Sequence, residues 1–365
     1  MSDHSKWIRK RILDLHRIRD SYVDRGGMFR MDRNERTWPH NETVLQQIRQ
    51  RIASEPLTNY TDIDGLYRKL AGYLGTSYEQ IYLHSGSDLV IKSIFETFID
   101  PGDRVLIQNP SYAMYGVYSR MYGADLVEKD YDDGLHFDVD DYCLTIASEH
   151  PKLVVFENPS GYIGNGYSHD QVKKVVETAF ANDALVLVDE AYIDYIPDHS
   201  AQDLIDKYDN LIIVRTFSKA WGLAGMRAGY AVSNTLLISE IFKVMPMHEL
   251  TMATVIAVDT VLDHADEMKA YIEEVKAVRD YFQGSLREMG IRFIDSDTHF
   301  VTACLGEKID ADDFRDRAHE NRYFVRRPFG QDILKGWVRI GLIPMKDMNE
   351  FTEYLRSYME SAQRK

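Results

Sequence analysis

From about residue 80 to residue 245, short β-branched runs alternate with longer stretches of helical periodicity, and few folds accommodate that rhythm. Strand, helix and strand in succession build βαβ units around a mostly parallel sheet, so the fold class is α/β. Strands are expected at Val105–Ile107, Lys152–Phe156, Ala184–Val188, Leu211–Val214 and Gly229–Val232. One helix should begin near Ser87 and end before the Pro101-Gly102 turn; another begins at Ser168, whose spacing to Gln171 is that of a capping box.

After Pro246 the pattern changes. Residues 247–288 read as one long helix, with apolar positions three and four apart and no Gly or Pro before Gly284. Short strands at Ile291–Ile294, Phe300–Cys304, Tyr323–Arg326 and Trp337–Ile340 then alternate with helices near 310–320 and 347–362, as in a smaller α+β domain. The expected division is an N-terminal arm with part of the small domain (1–40), a large domain (41–246), an interdomain helix (247–288) and a C-terminal small domain (289–365). A chain of 365 residues can bury such cores without metal or disulfide staples.

Composition removes several classes of function. With 58 acidic and 43 basic side chains the net charge is −15, which argues against binding nucleic acid or an anionic membrane through bulk charge. Cys143 and Cys304 stand 161 positions apart, so there is no CxxC pair or disulfide framework, and a reduced, cytoplasmic setting is expected. The segment Met1-Ser-Asp-His-Ser-Lys-Trp-Ile-Arg-Lys10 lacks the apolar core of a secretion signal, and runs such as Ala184–Val188 are too short to span a membrane.

Several residues stand where an α/β sheet does chemistry. Asp189 directly follows an apolar run, at the strand edge where open α/β sheets bind ligands; it could hold a negative charge against a cationic ring nitrogen, or simply cap a helix. Lys219, in Thr216-Phe-Ser-Lys219, could form a Schiff base or be a surface lysine. Thr216, Ser218 and Arg227 around it would make a dianion-binding set. His84-Ser-Gly-Ser-Asp88 opens a helix whose first amides suit phosphate, and equally suits an ordinary cap. Asn158, in Asn158-Pro-Ser-Gly161, could reach over the sheet edge, and Tyr112 could stack on a planar ring or pack in the core. Other chemistries lack their parts: Gly161-Tyr-Ile-Gly-Asn-Gly166 reads GxxGxG rather than GxGxxG, and neither GxxxxGK[ST] nor HExxH occurs.

Taken in order, these segments resemble the fold-type I pyridoxal-phosphate enzymes of the class I/II aminotransferase superfamily, nearest to the histidinol-phosphate aminotransferases and threonine-phosphate decarboxylases. The resemblance runs from Asn34, in Met31-Asp-Arg-Asn-Glu35, to Arg339, in Trp337-Val-Arg-Ile-Gly341. Joint spacing carries it: 30 residues from Asp189 to Lys219, 8 from Lys219 to Arg227 and 13 from Arg326 to Arg339. It implies pyridoxal 5'-phosphate as cofactor, with Lys219 its covalent anchor, Asp189 on the ring nitrogen, Tyr112 stacked on the ring, and Asn158 and Tyr192 at the ring hydroxyl. The phosphate would lie on Ser87 and Asp88 with Ser218 and Arg227, and Thr216 close by. Tyr60, in Asn59-Tyr-Thr-Asp62, matches a tyrosine that reaches the partner subunit's cofactor and so implies a homodimer. Asn34, Arg339 and Arg326 are implied on the substrate side, Arg339 for its carboxylate and Arg326 for a distal phosphate.

The activity so implied is transamination of a small phosphorylated amine or amino acid. Leu89, the direct approach of Phe156-Glu157 to Asn158, and Met245-Pro-Met-His-Glu-Leu250 depart from the usual pattern and point to a substrate other than histidinol phosphate. Decarboxylation of an amino-acid phosphate would use the same lysine, aspartate and arginine. A non-catalytic scaffold is the third reading, and the presence of Lys219, Asp189 and Arg227 together speaks against it.

Overall fold

The computed structural model describes residues 5–13, 15, 24–306, 310–326 and 330–363; residues 1–4, 14 and 16–23 of the expected arm lie outside it. The strands are β1 (Phe29–Met31), β2 (Ile81–His84), β3 (Arg104–Asn109), β4 (Asp125–Asp130), β5 (Leu153–Glu157), β6 (Leu185–Asp189), β7 (Leu211–Thr216), β8 (Gly229–Ser233), β9 (Arg292–Phe293), β10 (Phe300–Cys304), β11 (Tyr323–Val325) and β12 (Trp337–Gly341). The helices are α1 (Lys10–Leu13), α2 (Glu42–Ser54), α3 (Asp64–Leu74), α4 (Ser87–Phe98), α5 (Ala113–Tyr122), α6 (Val139–Glu149), α7 (His169–Ala181), α8 (Thr235–Phe242), α9 (Met252–Asp263), α10 (Ala265–Glu288), α11 (Ala311–Glu320) and α12 (Met345–Gln363).

Seven strands form one sheet in the order β2-β8-β7-β6-β5-β3-β4, and β8 runs antiparallel to both of its neighbours while the others are parallel. Successive side chains on a strand face opposite sides, and both sides are apolar here. Val155, Leu187, Ile212 and Val214 pack with Val90, Ile94, Tyr115 and Ile238 on one face. Val154, Phe156, Val186, Val188 and Ile213 pack with Tyr142, Val172, Val176 and Val258 on the other. Burial on both faces explains why the inner strands read as continuous apolar runs. The expected capping box opens α7: the Ser168 hydroxyl accepts from Gln171 N–H at 3.3 Å and the Gln171 side chain accepts from Ser168 N–H at 2.9 Å.

The single helix expected over 247–288 is instead two. The backbone leaves helical geometry at His264, which closes α9 and opens α10. The two halves have different surroundings: α9 is buried on most sides and packs on α2 and α3, whereas α10 presents one apolar stripe to α12, β9 and β10. Periodicity alone could not show this break, because neither Gly nor Pro makes it. A second, three-stranded antiparallel sheet has the order β12-β10-β9, and β1 pairs in parallel with β11. Among the described residues, no helix is long and apolar enough to cross a membrane.

Candidate active site

Three parallel strands end together at one edge of the large sheet, and each ends in a polar residue: Glu157 on β5, Asp189 on β6 and Thr216 on β7. They open onto a cavity of about 490 Å³, within the range of small-molecule sites. Asp189 is buried at its floor. Its Oδ2 accepts the Tyr115 hydroxyl at 2.5 Å and its Oδ1 accepts Ala191 N–H at 3.0 Å. Burial pushes this carboxyl above the usual carboxylate range, while the two donors and the Lys219 charge pull it back. Behind the strand ends, Arg215 pairs with the fully buried Glu190 at 2.8 Å, tying β7 to β6.

Lys219 follows β7 at the cavity wall. Its ammonium donates to the Arg33 carbonyl at 3.2 Å and lies 5.4 Å from the centre of the Tyr192 ring. The Tyr192 hydroxyl in turn accepts from Asn34 Nδ2 at 2.8 Å. Asn34 takes a left-handed backbone, φ +53°, to point inward. His299 lies against Tyr192 and stacks on Tyr195 at 5.1 Å; burial pushes its pKa down to about 3, so it stays neutral.

One wall is made by the start of α4. The first amides of a helix lack intrahelical partners, and those of Ser87 and Asp88 stand at the cavity. Arg227 Nη1 donates to Ser218 Oγ at 3.3 Å, and Ser218 N–H donates to Thr216 Oγ1 at 3.1 Å. Two glycines let these pieces close up. A Cβ on Gly86, φ +92°, would lie 2.5 Å from Arg227 Nη2, and one on Gly229 would lie 2.1 Å from Ser87 N.

The other wall comes from the small sheet. Arg339, buried on β12, donates to the carbonyls of Gly161 at 2.8 Å and Asp32 at 3.0 Å, and its Nε has no partner among the described residues. Burial and the neighbouring Arg326 charge push it down to about 9. Arg326 lies over the Tyr162 ring at 5.3 Å. Two guanidinium groups that line one cavity, one of them lowered by the charge of the other, favour an anion between them. Tyr112 caps α5 at the cavity, with its ring edge-on to Tyr115 at 6.0 Å.

Two expected residues stand elsewhere. Asn158 is buried but does not line the cavity: its Nδ2 donates to the His199 carbonyl at 3.2 Å and its Oδ1 accepts Tyr167 N–H at 2.8 Å. Its neighbour Glu157 points in instead. Tyr60 is 78% exposed, outside the cavity of its own chain, and stacks on His248 at 3.7 Å. Glu157, Tyr115 and His299 had no motif to single them out in the sequence; the signal was present only as Glu157 at the expected strand end and Tyr115 one helical turn beyond Tyr112.

The donor set fits pyridoxal 5'-phosphate. A buried carboxylate suits a cationic ring nitrogen, a lysine stands within the same cavity, and α4 amides with Ser218 and Arg227 suit a phosphate dianion. Fold and site together define a fold-type I pyridoxal-phosphate enzyme. Comparison with known proteins sharpens the class. The model of the family "Aminotransferase class I and II" matches residues 29–355. Histidinol-phosphate aminotransferase of Chlorobaculum tepidum is 34% identical over 344 residues, 92% of this chain and 97% of that one. The crystal structure of histidinol-phosphate aminotransferase from Sinorhizobium meliloti in complex with pyridoxal-5'-phosphate superimposes with a TM-score of 0.86 at 25% identity, over 97% of this chain and 98% of that one. The L-threonine-O-3-phosphate decarboxylase of Porphyromonas gingivalis shares the fold at a TM-score of 0.78 and 18% identity, over 91% and 100% of the two chains. The chain belongs to the class I and II aminotransferase family, and it is a pyridoxal-phosphate-dependent aminotransferase.

Proposed function

We propose that this enzyme moves an amino group between a small phosphorylated amine or amino acid and an oxo acid, as a cytoplasmic homodimer. The observation that carries the reading is that one cavity holds two separate cationic poles. Arg227 with Ser218 and the α4 amides forms one, for the cofactor phosphate; Arg339 with Arg326 forms the other, for the anionic groups of the substrate. The histidinol-phosphate aminotransferases among its relatives are named for a phosphorylated amine, and the departures at Leu89, Glu157 and 245–250 favour a different member of that chemical class.

When bound, the cofactor supplies an electron-poor pyridinium ring that accepts the electron pair left at the substrate's α-carbon. Asp189, with Tyr115 behind it, holds the proton on the ring nitrogen. The Tyr192 hydroxyl, held by Asn34, offers its own proton to the ring oxygen. Tyr112 covers one ring face and keeps water from it. Lys219 is the covalent anchor and then the base that carries a proton from and to the α-carbon at Nζ. Arg339 seats the carboxylate and Arg326 the distal phosphate. Asn158 would have to give up its bond to His199 to take part. The exposed Tyr60 and His248 stack, beside exposed Met247 and Leu57, supports burial against a second copy, where Tyr60 would reach the partner's site.

The test is a spectrum of the purified holoenzyme. A phosphorylated amine should convert the absorbance to that of the amine form of the cofactor, and 2-oxoglutarate should restore it. Lys219→Ala should abolish that cycle. Release of carbon dioxide without consumption of an oxo acid would overturn the transaminase assignment.

A further inference from the structure

Residues 33–40 run along the turn that carries Lys219 and meet it at three points. Lys219 Nζ donates to the Arg33 carbonyl at 3.2 Å, Arg36 Nη1 donates to the Ala220 carbonyl at 3.4 Å, and the His40 ring sets Nε2 3.4 Å from the Gly222 carbonyl. The turn itself closes with Gly222 N–H on the Lys219 carbonyl at 2.9 Å. The two segments pack tightly, since a Cβ on Gly222 would lie 2.7 Å from His40 Nε2 and 2.8 Å from Arg36 Cδ. One carboxylate outside the cavity gathers the outer segment: Glu267 Oε1 accepts Arg36 Nη2 at 2.8 Å and faces His40 Nδ1 at 3.1 Å. The Arg36 side chain is 4% exposed, with its guanidinium 4.3 Å from the centre of the Tyr271 ring. Glu267 owes its place to the break at His264, which puts it in the first turn of α10, where the helix dipole favours a negative charge. The planar fork of Arg36 spans from this carboxylate to the Ala220 peptide, a bridge that the single ammonium of a lysine would not make.

We propose that Glu267 and Arg36 are positioning residues for Lys219: they press residues 33–40 onto residues 219–222 and so fix where the lysine amine meets the aldehyde of the cofactor. This rests on the reading of Lys219 as the covalent anchor. In the linking step the amine adds to the aldehyde carbon and water leaves, so a C=N bond replaces C=O with no change of oxidation state. Such a step depends steeply on the placement of its nucleophile, and a displacement of about 1 Å can cost up to about a hundredfold in rate. Arg36, His40 and Glu267 all stand outside the cavity, so their effect on the amine passes through the backbone of the lysine turn. Thr37 secures the same segment from the other side, its hydroxyl donating to the Leu342 carbonyl at 2.8 Å just beyond β12.

The experiment uses the full chain freed of cofactor, as wild type, Glu267→Ala, Arg36→Lys, Lys219→Ala and the double variant Arg36→Met with Glu267→Met. One arm follows the rate at which saturating pyridoxal phosphate forms a link that borohydride fixes to the protein, one cofactor per chain. The other measures affinity for pyridoxine phosphate, which has the same ring and phosphate but no aldehyde and so reports the cradle without the lysine. Glu267→Ala and the double variant should link about tenfold or more slowly than wild type, and Arg36→Lys about threefold or more, while all three bind pyridoxine phosphate within about threefold of wild type. Should Glu267→Ala fail to fold by thermal melting, the double variant decides, because it leaves no guanidinium buried without its partner. Linking at the wild-type rate in the double variant, or equal losses in the two arms, overturns the proposal and leaves Lys219 as the anchor. No link in wild type, or a link that survives in Lys219→Ala, overturns the anchor reading and this one with it.

Discussion

Replacing Tyr115 with Phe isolates one hydrogen bond in the site. The hydroxyl donates to Asp189 Oδ2 at 2.5 Å inside a fully buried pair, and Phe keeps the ring, its packing and the edge contact with Tyr112. A hydrogen bond to a charged group contributes about 1.5–3 kcal/mol, more than a neutral one. Losing it favours the protonated acid and raises Asp189 further, on top of the rise that burial already causes. A protonated Asp189 offers no charge to a pyridinium. Cofactor affinity should therefore fall by up to the worth of that bond, about tenfold to a hundredfold, and by more at pH 6 than at pH 8, because protonation of the carboxyl grows as pH falls. The assay is a titration of the cofactor-free protein with pyridoxal phosphate, read by visible absorbance at both pH values. Thermal melting of the same samples checks that the fold is intact. Equal affinity of variant and wild type at pH 6 and pH 8 would refute the argument, because Asp189 would then hold its charge without Tyr115.

Three further outcomes are expected. Gly229→Ala places a methyl 2.1 Å from Ser87 N, so the start of α4 must shift; stability measured in urea should fall by about 1–3 kcal/mol and the cofactor should bind more weakly, and an unchanged cofactor affinity would sink the cradle. Glu157 sits near 8 in the folded chain against an ordinary 4.5, so the folded state keeps a proton that the unfolded state releases; stability should fall by up to about 1 kcal/mol per pH unit as pH rises from 5 to 8, and Glu157→Gln should remove that slope from the denaturation curves. Mixing inactive Lys219→Ala with inactive Tyr60→Ala should restore about a quarter of wild-type activity after subunit exchange, since half the random dimers would carry one complete site; no recovery would place Tyr60 outside the partner's site.

Much of this arrangement was legible because strand ends in an α/β sheet concentrate polar residues after apolar runs. Asp189, Thr216, Ser218 and Lys219 could be placed at one edge from sequence, and the structure puts all four around the cavity. What escaped did so for physical reasons. β2 and β4 were not among the expected strands: Ile81–His84 holds a single β-branched residue, and Asp125–Asp130, at the sheet edge, is too polar for an apolar run to mark it. The interruption at His264 rests on what packs around α9 and α10, which no local pattern encodes. Glu157 and Asn158 exchange the expected inward position because the turn after β5 hands the asparagine's amide to His199 and Tyr167. Such choices are made by distant partners.

The cavity draws its two poles from two separately hydrogen-bonded sheets, since Ser218, Lys219 and Arg227 belong with β7 and β8 whereas Arg339 belongs to β12. For an enzyme engineer that is a modular blueprint. Libraries confined to the three-stranded sheet and the β11 flank can retune which amine donor is accepted, and the vitamin-derived prosthetic group keeps its berth throughout.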